Sequence, residues 1–259
     1  MRGMKYGIMN SVLRKSWEES FAEASQLGFD GVELTGVGEG SKLWSEEGAE
    51  EINQLAAKSG VEVPSVTLSW PYTLADPLAS RRKVAQDVTE ETIRACKTLG
   101  AWVILVPFFG AQELTPKQAT SDVFINELSE CAKTAEENQV YLALETTLGA
   151  EDLLKIMKAV SSPFVKVYFD VGNAVWWKHE PVSLEIRKLK DQIIQIHIKD
   201  TKNGPGDVHL GKGRVDFASV SEAIKDIGYE RYLVLETPAT DEPEEAAARN
   251  LQYLKKYIT

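Results

Sequence analysis

Short apolar runs alternate with longer amphipathic segments along the whole chain. Eight of these runs are candidate β-strands, and they lie at residues 6–9, 31–34, 63–68, 102–107, 141–145, 165–170, 193–198 and 232–236. Several are continuously apolar rather than alternating, which is typical of parallel strands that are covered on both faces. Most are separated by a segment long enough for a helix. The pattern therefore predicts a strict alternation of strand and helix around a parallel sheet.

The boundaries of the intervening helices can also be read from the sequence. Glycine adopts a left-handed backbone conformation without steric cost, and asparagine is its usual substitute, so either residue before an apolar run predicts a helix end. Such residues are Gly28, Gly60, Gly100, Asn138 and Gly228. Helix starts are predicted at Ser16 with Glu19, at Thr115-Pro116 with Gln118, and at Asp216.

Eight strand–helix units in one chain of this length favour a closed sheet over an open one. No GxGxxG turn follows the first strand, so a dinucleotide-binding open sheet gains no support. We see no linker or low-complexity tract, and Gly204-Pro205-Gly206 is typical of a turn inside a long loop after the seventh strand. We expect an α/β protein in which residues 1–259 form a single (β/α)8 TIM barrel.

The net charge, the apolar runs and the cysteines of the sequence indicate which partners and which cellular location to expect. The formal net charge is -10, which argues against nucleic acid or an anionic membrane as the main partner. No apolar run approaches the roughly 18 residues of a membrane span, and the N-terminus lacks the pattern of a secretory signal, so we expect a cytoplasmic protein. Cys96 and Cys131 form no CxxC spacing and are expected to be reduced packing residues.

Four of the late strands carry a side chain capable of binding a metal at or near their C-terminal ends. These are Glu145, Asp170, His197 and Glu236. Each gap between them fits one helix and its loops. Because the C-terminal ends of barrel strands converge on one mouth, where active sites lie, we expect the four side chains to meet there. Taken singly, each acid could instead cap a helix or pair with a lysine.

Three carboxylates and one imidazole in close proximity need compensation, because like charges repel and partial burial raises the cost. One divalent cation would provide it. A donor set rich in oxygen and without thiolate suits Mn2+, Mg2+ or Co2+ and suits Zn2+ less well. We expect one divalent ion, with Mn2+ as the first choice.

The sequence resembles the xylose isomerase-like TIM-barrel family of sugar isomerases and epimerases over nearly its whole length. The residues that carry the resemblance are Gly31-Val32-Glu33-Leu34, Leu144-Glu145, Phe169-Asp170-Val171-Gly172-Asn173, His197-Ile198-Lys199-Asp200, Gly211-Lys212-Gly213-Arg214-Val215-Asp216-Phe217 and Leu235-Glu236. The resemblance implies that Glu145, Asp170, His197 and Glu236 are metal ligands. It also implies that Glu145 and Glu236 are the catalytic acid and base, which transfer a proton through an enediolate stabilised by the metal.

The resemblance is less informative about the substrate. Free-ketose 3-epimerases of the family usually carry His where this chain has Asn173, and the Asp-x-Gly-Asn and His-x-Lys-Asp-Thr motifs are more similar to the sugar-phosphate branch. Glu151 falls on a substrate-contact position of the family. Lys199 and Arg214 are cations in the region after strand seven that could bind a phosphate. His209 could line the mouth, although a loop histidine satisfied by the backbone is the alternative.

We therefore expect a metal-dependent isomerase of the ketose 3-epimerase type that acts on a small sugar or sugar phosphate, with a homo-oligomer as a possible assembly. Two alternatives stay open. One is a dehydratase or 3-keto-glycoside lyase on the same site, because these reactions also begin with proton abstraction next to a carbonyl. The other is a barrel that binds a sugar without catalysis. An endonuclease of the same superfamily is disfavoured, because such enzymes need many histidines and this chain has three.

Overall fold

The computed structural model describes residues 3–179 and 181–258, and the ends of the predicted 1–259 domain lie outside the described residues. Eight parallel strands form a closed barrel in which each strand pairs with the next along the chain and the eighth pairs with the first. The strands are β1 (Lys5–Met9), β2 (Gly31–Val37), β3 (Ser65–Leu68), β4 (Val103–Phe108), β5 (Tyr141–Thr146), β6 (Val165–Asp170), β7 (Ile193–Ile198) and β8 (Tyr232–Leu235). The prediction of a (β/α)8 barrel is confirmed, and all eight predicted strands are present.

Helices surround the barrel and connect successive strands. They are α1 (Asn10–Leu13), α2 (Trp17–Leu27), α3 (Glu46–Ser59), α4 (Ala79–Leu99), α5 (Pro116–Ala119), α6 (Asp122–Asn138), α7 (Ala150–Val160), α8 (Val171–Trp176), α9 (Val182–Leu189), α10 (Phe217–Asp226) and α11 (Pro243–Tyr257). Short 3-10 turns lie at Lys42–Trp44, Gly110–Gln112 and Lys190–Gln192. Within the described residues, no helix is both long enough and apolar enough to cross a bilayer.

The predicted helix ends are confirmed at three positions, since α2, α3 and α4 end at Gly28, Gly60 and Gly100 in left-handed conformations. The prediction for Asn138 was wrong by one residue. Asn138 is the last residue of α6, and Gln139 takes the left-handed conformation with φ 57°. Gly228 also has a positive φ, but it lies one residue beyond the cap of α10.

The predicted helix starts are confirmed as well. The hydroxyl groups of Ser16 and Thr115 each accept a hydrogen bond from the backbone of the third helical residue, and that residue's side chain accepts one in return. Asp216 caps α10 by accepting from the backbone N–H of Ser219 at 3.2 Å. Each start therefore satisfies backbone donors that the helix itself leaves unpaired.

The apolar core has two parts, which follow from the alternation of side chains along a strand. On β4, Ile104 and Val106 belong to a large cluster that packs the strands against the helices. Val103 and Leu105 belong instead to a smaller cluster on the inner face of the barrel, which also contains Tyr168. The inner cluster fills the barrel below the C-terminal ends of the strands. The floor of the barrel mouth is therefore formed by packed side chains.

A long irregular segment, residues 199–216, connects β7 to α10 and is anchored by one buried carboxylate. Asp200 accepts hydrogen bonds from the backbone N–H groups of Thr201 and Gly213 at 2.8 Å and of Val215 at 3.1 Å. The predicted turn around Pro205 lies within this segment. Because Asp200 joins the beginning of the segment to its end, the loop is held against the mouth of the barrel.

Candidate metal centre

Four side chains from consecutive strands meet at the mouth of the barrel. Glu145 lies near the end of β5, Asp170 ends β6, His197 lies in β7 and Glu236 directly follows β8. One ligand atom from each of them lies within 4.8 Å of those of the other three. The structure therefore brings together the four residues that the sequence predicted as a metal-binding set.

The imidazole of His197 joins this cluster to a further buried carboxylate, that of Glu33. Its Nε2 lies 3.1 Å from Oε1 of Glu33, whereas its Nδ1 faces the cluster, 3.0 Å from Oε2 of Glu236 and 3.5 Å from Oε1 of Glu145. A proton on Nε2 donated to Glu33 leaves the Nδ1 lone pair directed at the cluster. A histidine that binds a metal commonly donates its other nitrogen to a carboxylate in this way.

Glu33 is fully buried and accepts hydrogen bonds from the neighbouring strand β3 and from β6 across the barrel. Ser65 Oγ donates at 2.5 Å, Tyr168 Oη at 2.6 Å and Thr67 Oγ1 at 2.9 Å. These donors fix the carboxylate, and the carboxylate in turn orients the ring of His197. The sequence analysis used Glu33 only as part of a family motif and missed this function, although an acid inside the apolar strand β2 was a signal for it.

Asp170 and Asn173 form a short structural link within the site. Oδ1 of Asp170 accepts a hydrogen bond from the backbone N–H of Asn173 at 2.7 Å, which caps α8 and directs Oδ2 toward the cluster. The side-chain amide of Asn173 donates to Oε1 of Glu145 at 3.1 Å. Asn173 thus orients one predicted ligand through its backbone and another through its side chain.

Lys199 lies among the carboxylates. Its Nζ is 2.8 Å from Oε2 of Glu236 and 3.0 Å from Oδ2 of Asp170, and only 5% of the residue is exposed. The aliphatic stem packs near Gly172, where a Cβ atom would lie 2.5 Å from Cγ of Lys199. Glycine at this position therefore makes room for the lysine to reach the cluster.

Burial and mutual charge perturb the acids and bases of the cluster in opposite directions. Burial raises the pKa of Asp170, and the carboxylates of Glu236 and Glu145 add to this against the lowering by Lys199. Burial also acts to raise the pKa of Glu236, but the ammonium of Lys199 and the imidazole of His197 outweigh it, so the pKa is lowered. Although burial acts to lower the pKa of His197, Glu33 and Glu236 outweigh it and raise the pKa. The charges of the cluster are therefore held close together in a buried site, where each group changes the ionisation of its neighbours.

Oδ2 of Asp170 and Nδ1 of His197 are buried and make no hydrogen bond in the structure, and their close neighbours are the charged groups of Lys199 and Glu236, each at 3.0 Å. Buried polar atoms normally make hydrogen bonds, so these two atoms can serve as ligand atoms. Both face the other predicted ligands, and the donor set comprises three carboxylates and one imidazole without a thiolate. Such a set fits a divalent cation of the Mn2+ or Mg2+ type.

A cavity of about 480 Å³ opens above the cluster. Its polar lining comprises Thr67, Glu145, Asn173, His197, Lys199 and Glu236. The rest of the lining is apolar and comprises Met9, Leu105, Pro107, Phe109, Trp177 and Pro205. The volume and the mixed lining are those of a site for a small organic molecule. Of the predicted substrate-binding residues, Asn173 and Lys199 line this cavity.

The other three predicted substrate-binding residues do not line it. The side chain of Glu151 is 80% exposed on α7 and lies 3.6 Å from Lys188. Nδ1 of His209 lies 3.1 Å from the side-chain amide nitrogen of Asn250, within hydrogen-bond distance. Arg214 is exposed, and its backbone N–H donates to the carbonyl of Thr201. Their substrate contacts stay predictions without support from the shape of the cavity.

Comparisons with known proteins agree with this architecture. The chain is 29% identical over 258 residues to the putative L-ribulose-5-phosphate 3-epimerase SgbU of Escherichia coli K12, covering 91% of this chain and 89% of the relative. It is 30% identical over 228 residues to the L-ribulose-5-phosphate 3-epimerase UlaE of Salmonella paratyphi A, covering 82% of this chain and 79% of the relative.

Solved structures share the fold at lower identity. A structure of L-ribulose 3-epimerase superimposes with a TM-score of 0.85 at 18% identity, covering 98% of this chain and 94% of that chain. The sequence model of the xylose isomerase-like TIM-barrel family matches residues 21–257. Because this match spans nearly all of the sequence, the chain belongs to the xylose isomerase-like TIM-barrel family.

Proposed function

We propose that this protein is a sugar epimerase of the ketose 3-epimerase type that depends on one divalent metal ion. The observation that carries the proposal is the convergence of four ligand atoms within 4.8 Å at the base of a cavity large enough for a monosaccharide. The names of the two relatives, an L-ribulose-5-phosphate 3-epimerase and a putative one, support the same reaction class.

Glu145, Asp170, His197 and Glu236 would hold the metal, with Mn2+ as the first choice and Mg2+, Co2+ or Zn2+ as alternatives. When bound, the ion would polarise the substrate carbonyl and so acidify the C–H bond of the neighbouring carbon. His197 would bind through Nδ1, because Nε2 is engaged with Glu33.

Glu145 and Glu236 are the proposed acid and base. They project from β5 and β8, which are not neighbours in the barrel, so they approach the centre of the mouth from different directions. One carboxylate would take the proton from a carbon next to the carbonyl, and the other would return a proton to its opposite face, which inverts the carbon. Lys199 favours the ionised form of Glu236, as a base requires.

The apolar part of the lining would exclude water from the reacting carbon. Phe109 and Trp177 lie with ring centroids 5.7 Å apart at the cavity wall. A dry wall strengthens the interactions of the carboxylates with the substrate, because the local dielectric constant falls. It would also protect a reactive carbanion from protonation by bulk water.

A dehydratase or 3-keto-glycoside lyase is the second candidate, because its reaction begins with the same proton abstraction. The test is to incubate metal-loaded protein with free ketoses, ketose phosphates and inososes in deuterated water and to follow the products by NMR. We expect deuterium at one inverted carbon. Loss of water or of an aglycone would identify the second candidate, and sugar binding without any exchange would identify a non-catalytic barrel.

Paired variants complete the experiment. Glu145→Gln and Glu236→Gln should each abolish exchange while the barrel stays folded. Glu230→Gln is the matched control, because Glu230 is exposed two residues before β8, at the opposite end of the strand from Glu236. Full exchange in either of the first two variants would contradict the proposed acid–base pair.

A further inference from the structure

We propose that Lys199 is a counter-cation built into the metal centre. Its ammonium holds the carboxylates of Asp170 and Glu236 together, and it also competes with the metal for them, so that metal binding is weaker and the bound ion stays exchangeable. The inference rests on the proposed metal-dependent function and concerns the same site. It gives Lys199 an effect on the metal that is opposite in sign to that of a ligand.

The ammonium of Lys199 lies at the same oxygens that would bind the ion. Its Nζ is 3.0 Å from Oδ2 of Asp170 and 2.8 Å from Oε2 of Glu236. These two oxygens also lie 3.7 and 3.0 Å from Nδ1 of His197, the proposed nitrogen ligand. A metal ion bound by these oxygens would therefore share both of them with the ammonium.

The side chain of Lys199 is held in this position by packing. A Cβ atom at Gly172 would lie 2.5 Å from Cγ of Lys199, and one at Gly206 would lie 3.0 Å from Cδ. The hydroxyl group of Thr201 joins the two glycines, because it donates to the carbonyl of Gly172 at 3.1 Å and accepts from the N–H of Gly206 at 3.3 Å. The buried stem of Lys199 thus packs against two fixed stretches of backbone, and its ammonium stays at the carboxylates.

The charges of the site determine what this ammonium does. Three carboxylates, those of Glu145, Asp170 and Glu236, contribute ligand atoms that lie within 4.8 Å of one another and of the His197 ligand atom. Among the described residues, Lys199 is the one lysine or arginine that lines the cavity above them. In a buried site, where solvent screens weakly, one positive charge offsets part of the repulsion between the carboxylates. The same charge repels a divalent ion.

A purely structural ion pair would have the opposite effect on metal binding. If Lys199 only ordered the ligands, its removal would let Asp170 and Glu236 move apart, and metal affinity would fall. If Lys199 competes with the ion, its removal leaves the same ligands with one more uncompensated negative charge, and affinity rises. The affinity of a metal site increases with the negative charge of its ligands. The two cases therefore differ in the sign of the change.

The contacts of the other ligands favour competition. Oδ1 of Asp170 accepts a hydrogen bond from the backbone N–H of Asn173 at 2.7 Å, and the side-chain amide of Asn173 donates to Glu145 at 3.1 Å. His197 is oriented by Glu33. Three of the four proposed ligands thus have anchors that do not involve Lys199, so its removal changes the charge of the site more than its shape.

The test is a calorimetric titration of metal-free protein with Mn2+. Lys199→Met and Lys199→Gln both remove the ammonium, with an apolar and a polar replacement. We expect each variant to bind Mn2+ at least about tenfold more tightly than the parent protein. Release of Mn2+ to a chelator should slow by a similar factor, because affinity differences between related complexes lie mostly in the dissociation rate. Unchanged or weaker binding in either variant would overturn the inference.

Thermal unfolding measures the other half of the proposal. Without metal, both variants should unfold at a lower temperature than the parent protein, because removal of one partner leaves buried carboxylates uncompensated. Saturating Mn2+ should raise the unfolding temperature of the variants more than that of the parent protein. Equal unfolding temperatures without metal would overturn the holding function of Lys199. A variant that stays unfolded in saturating Mn2+ would also overturn the inference, because the ion should replace the lost charge.

Lys202→Met is the matched control, since it removes an exposed lysine from the same loop, three residues after Lys199. It should change Mn2+ affinity by less than roughly twofold, because solvent and salt screen an exposed charge. A gain as large as that of Lys199→Met would overturn the inference, because the effect would then come from the net charge of the protein.

The outcomes also separate this inference from the proposed function. Tighter Mn2+ binding in the Lys199 variants, without epimerisation of any sugar by the Mn2+-loaded parent protein, would overturn the proposed function and support the inference. Epimerisation by a parent protein whose Mn2+ affinity does not depend on Lys199 would support the function and overturn the inference. Absence of Mn2+ binding in the parent protein and in both variants would overturn both.

Discussion

At the scale of single residues, Glu33 controls the geometry of the site without facing the cavity. Its carboxylate is fully buried and lies 3.1 Å from Nε2 of His197. We expect Glu33→Gln to weaken metal binding by about 10- to 100-fold, because the neutral amide stabilises the ring orientation and the ligand basicity less well. Titration of metal-free protein with Mn2+, followed by calorimetry, measures this change.

The control for this variant is Glu50→Gln, which removes an exposed carboxylate from α3. It should bind Mn2+ as the parent protein does. A thermal unfolding curve of metal-free Glu33→Gln is also needed, because the lost charge leaves Tyr168 and Ser65 donating to a weaker acceptor. A folded variant with unchanged Mn2+ affinity would refute the orienting function of Glu33.

At the scale of elements, the β7–α10 loop depends on a close approach of backbone to carboxylate at Gly213. A Cβ atom there would lie 2.1 Å from Oδ1 of Asp200 and 2.6 Å from the carbonyl oxygen of Thr201. Gly213→Ala must therefore displace the buried Asp200 that anchors the loop. We expect a loss of about 1–3 kcal/mol in the free energy of unfolding, as for other overpacked sites, measured by thermal or urea unfolding.

A control in the same loop is available at Gly204. A Cβ atom there would meet nothing closer than Cβ of Asp207 at 3.7 Å, which is an ordinary contact. Gly204→Ala should unfold within about 0.5 kcal/mol of the parent protein. Equal stability of the two variants would show that the contacts of Asp200 do not hold the loop in place.

At the scale of the whole molecule, the fold could be read from the sequence because each barrel unit repeats the same local pattern. Continuous apolar runs and left-handed glycines such as Gly28 and Gly60 gave the strands and helix ends without knowledge of distant contacts. The four predicted ligands were also readable, because strand ends in a barrel must converge.

The network behind the ligands could not be read in the same way. Glu33 meets Tyr168 and His197 across 135 and 164 residues of sequence, and no local pattern encodes those pairings. The position of Lys199 among the acids likewise depends on the packing space beside Gly172. Local patterns therefore predict which strand ends meet, whereas the partners that tune their side chains arise from tertiary packing.

The rate at which a thiol reagent labels Cys96 and Cys131 can show whether metal binding stabilises the barrel as a unit. Cys96 on α4 and Cys131 on α6 are both buried in the layer between helices and strands, and burial raises the pKa of each thiol well above its ordinary value. Neither thiol should react with a thiol reagent until the layer opens. A metal that binds only the folded barrel lowers the population of open molecules. At Mn2+ concentrations about 100 times the Kd, labelling by opening should therefore slow about a hundredfold.

The comparison is made between Mn2+-loaded and chelator-treated protein, with Glu236→Gln as the variant that should show a smaller difference because it lacks one proposed ligand. Slowing at both cysteines together would mean that α4 and α6, which pack against each other, open with the barrel that holds the metal. Labelling at a rate independent of Mn2+ would mean that the helical layer opens locally while the metal centre at the mouth stays closed. Because that centre joins β5, β6, β7 and the end of β8 at the mouth, an equal effect of the metal on both thiols requires the helical layer to open together with the barrel.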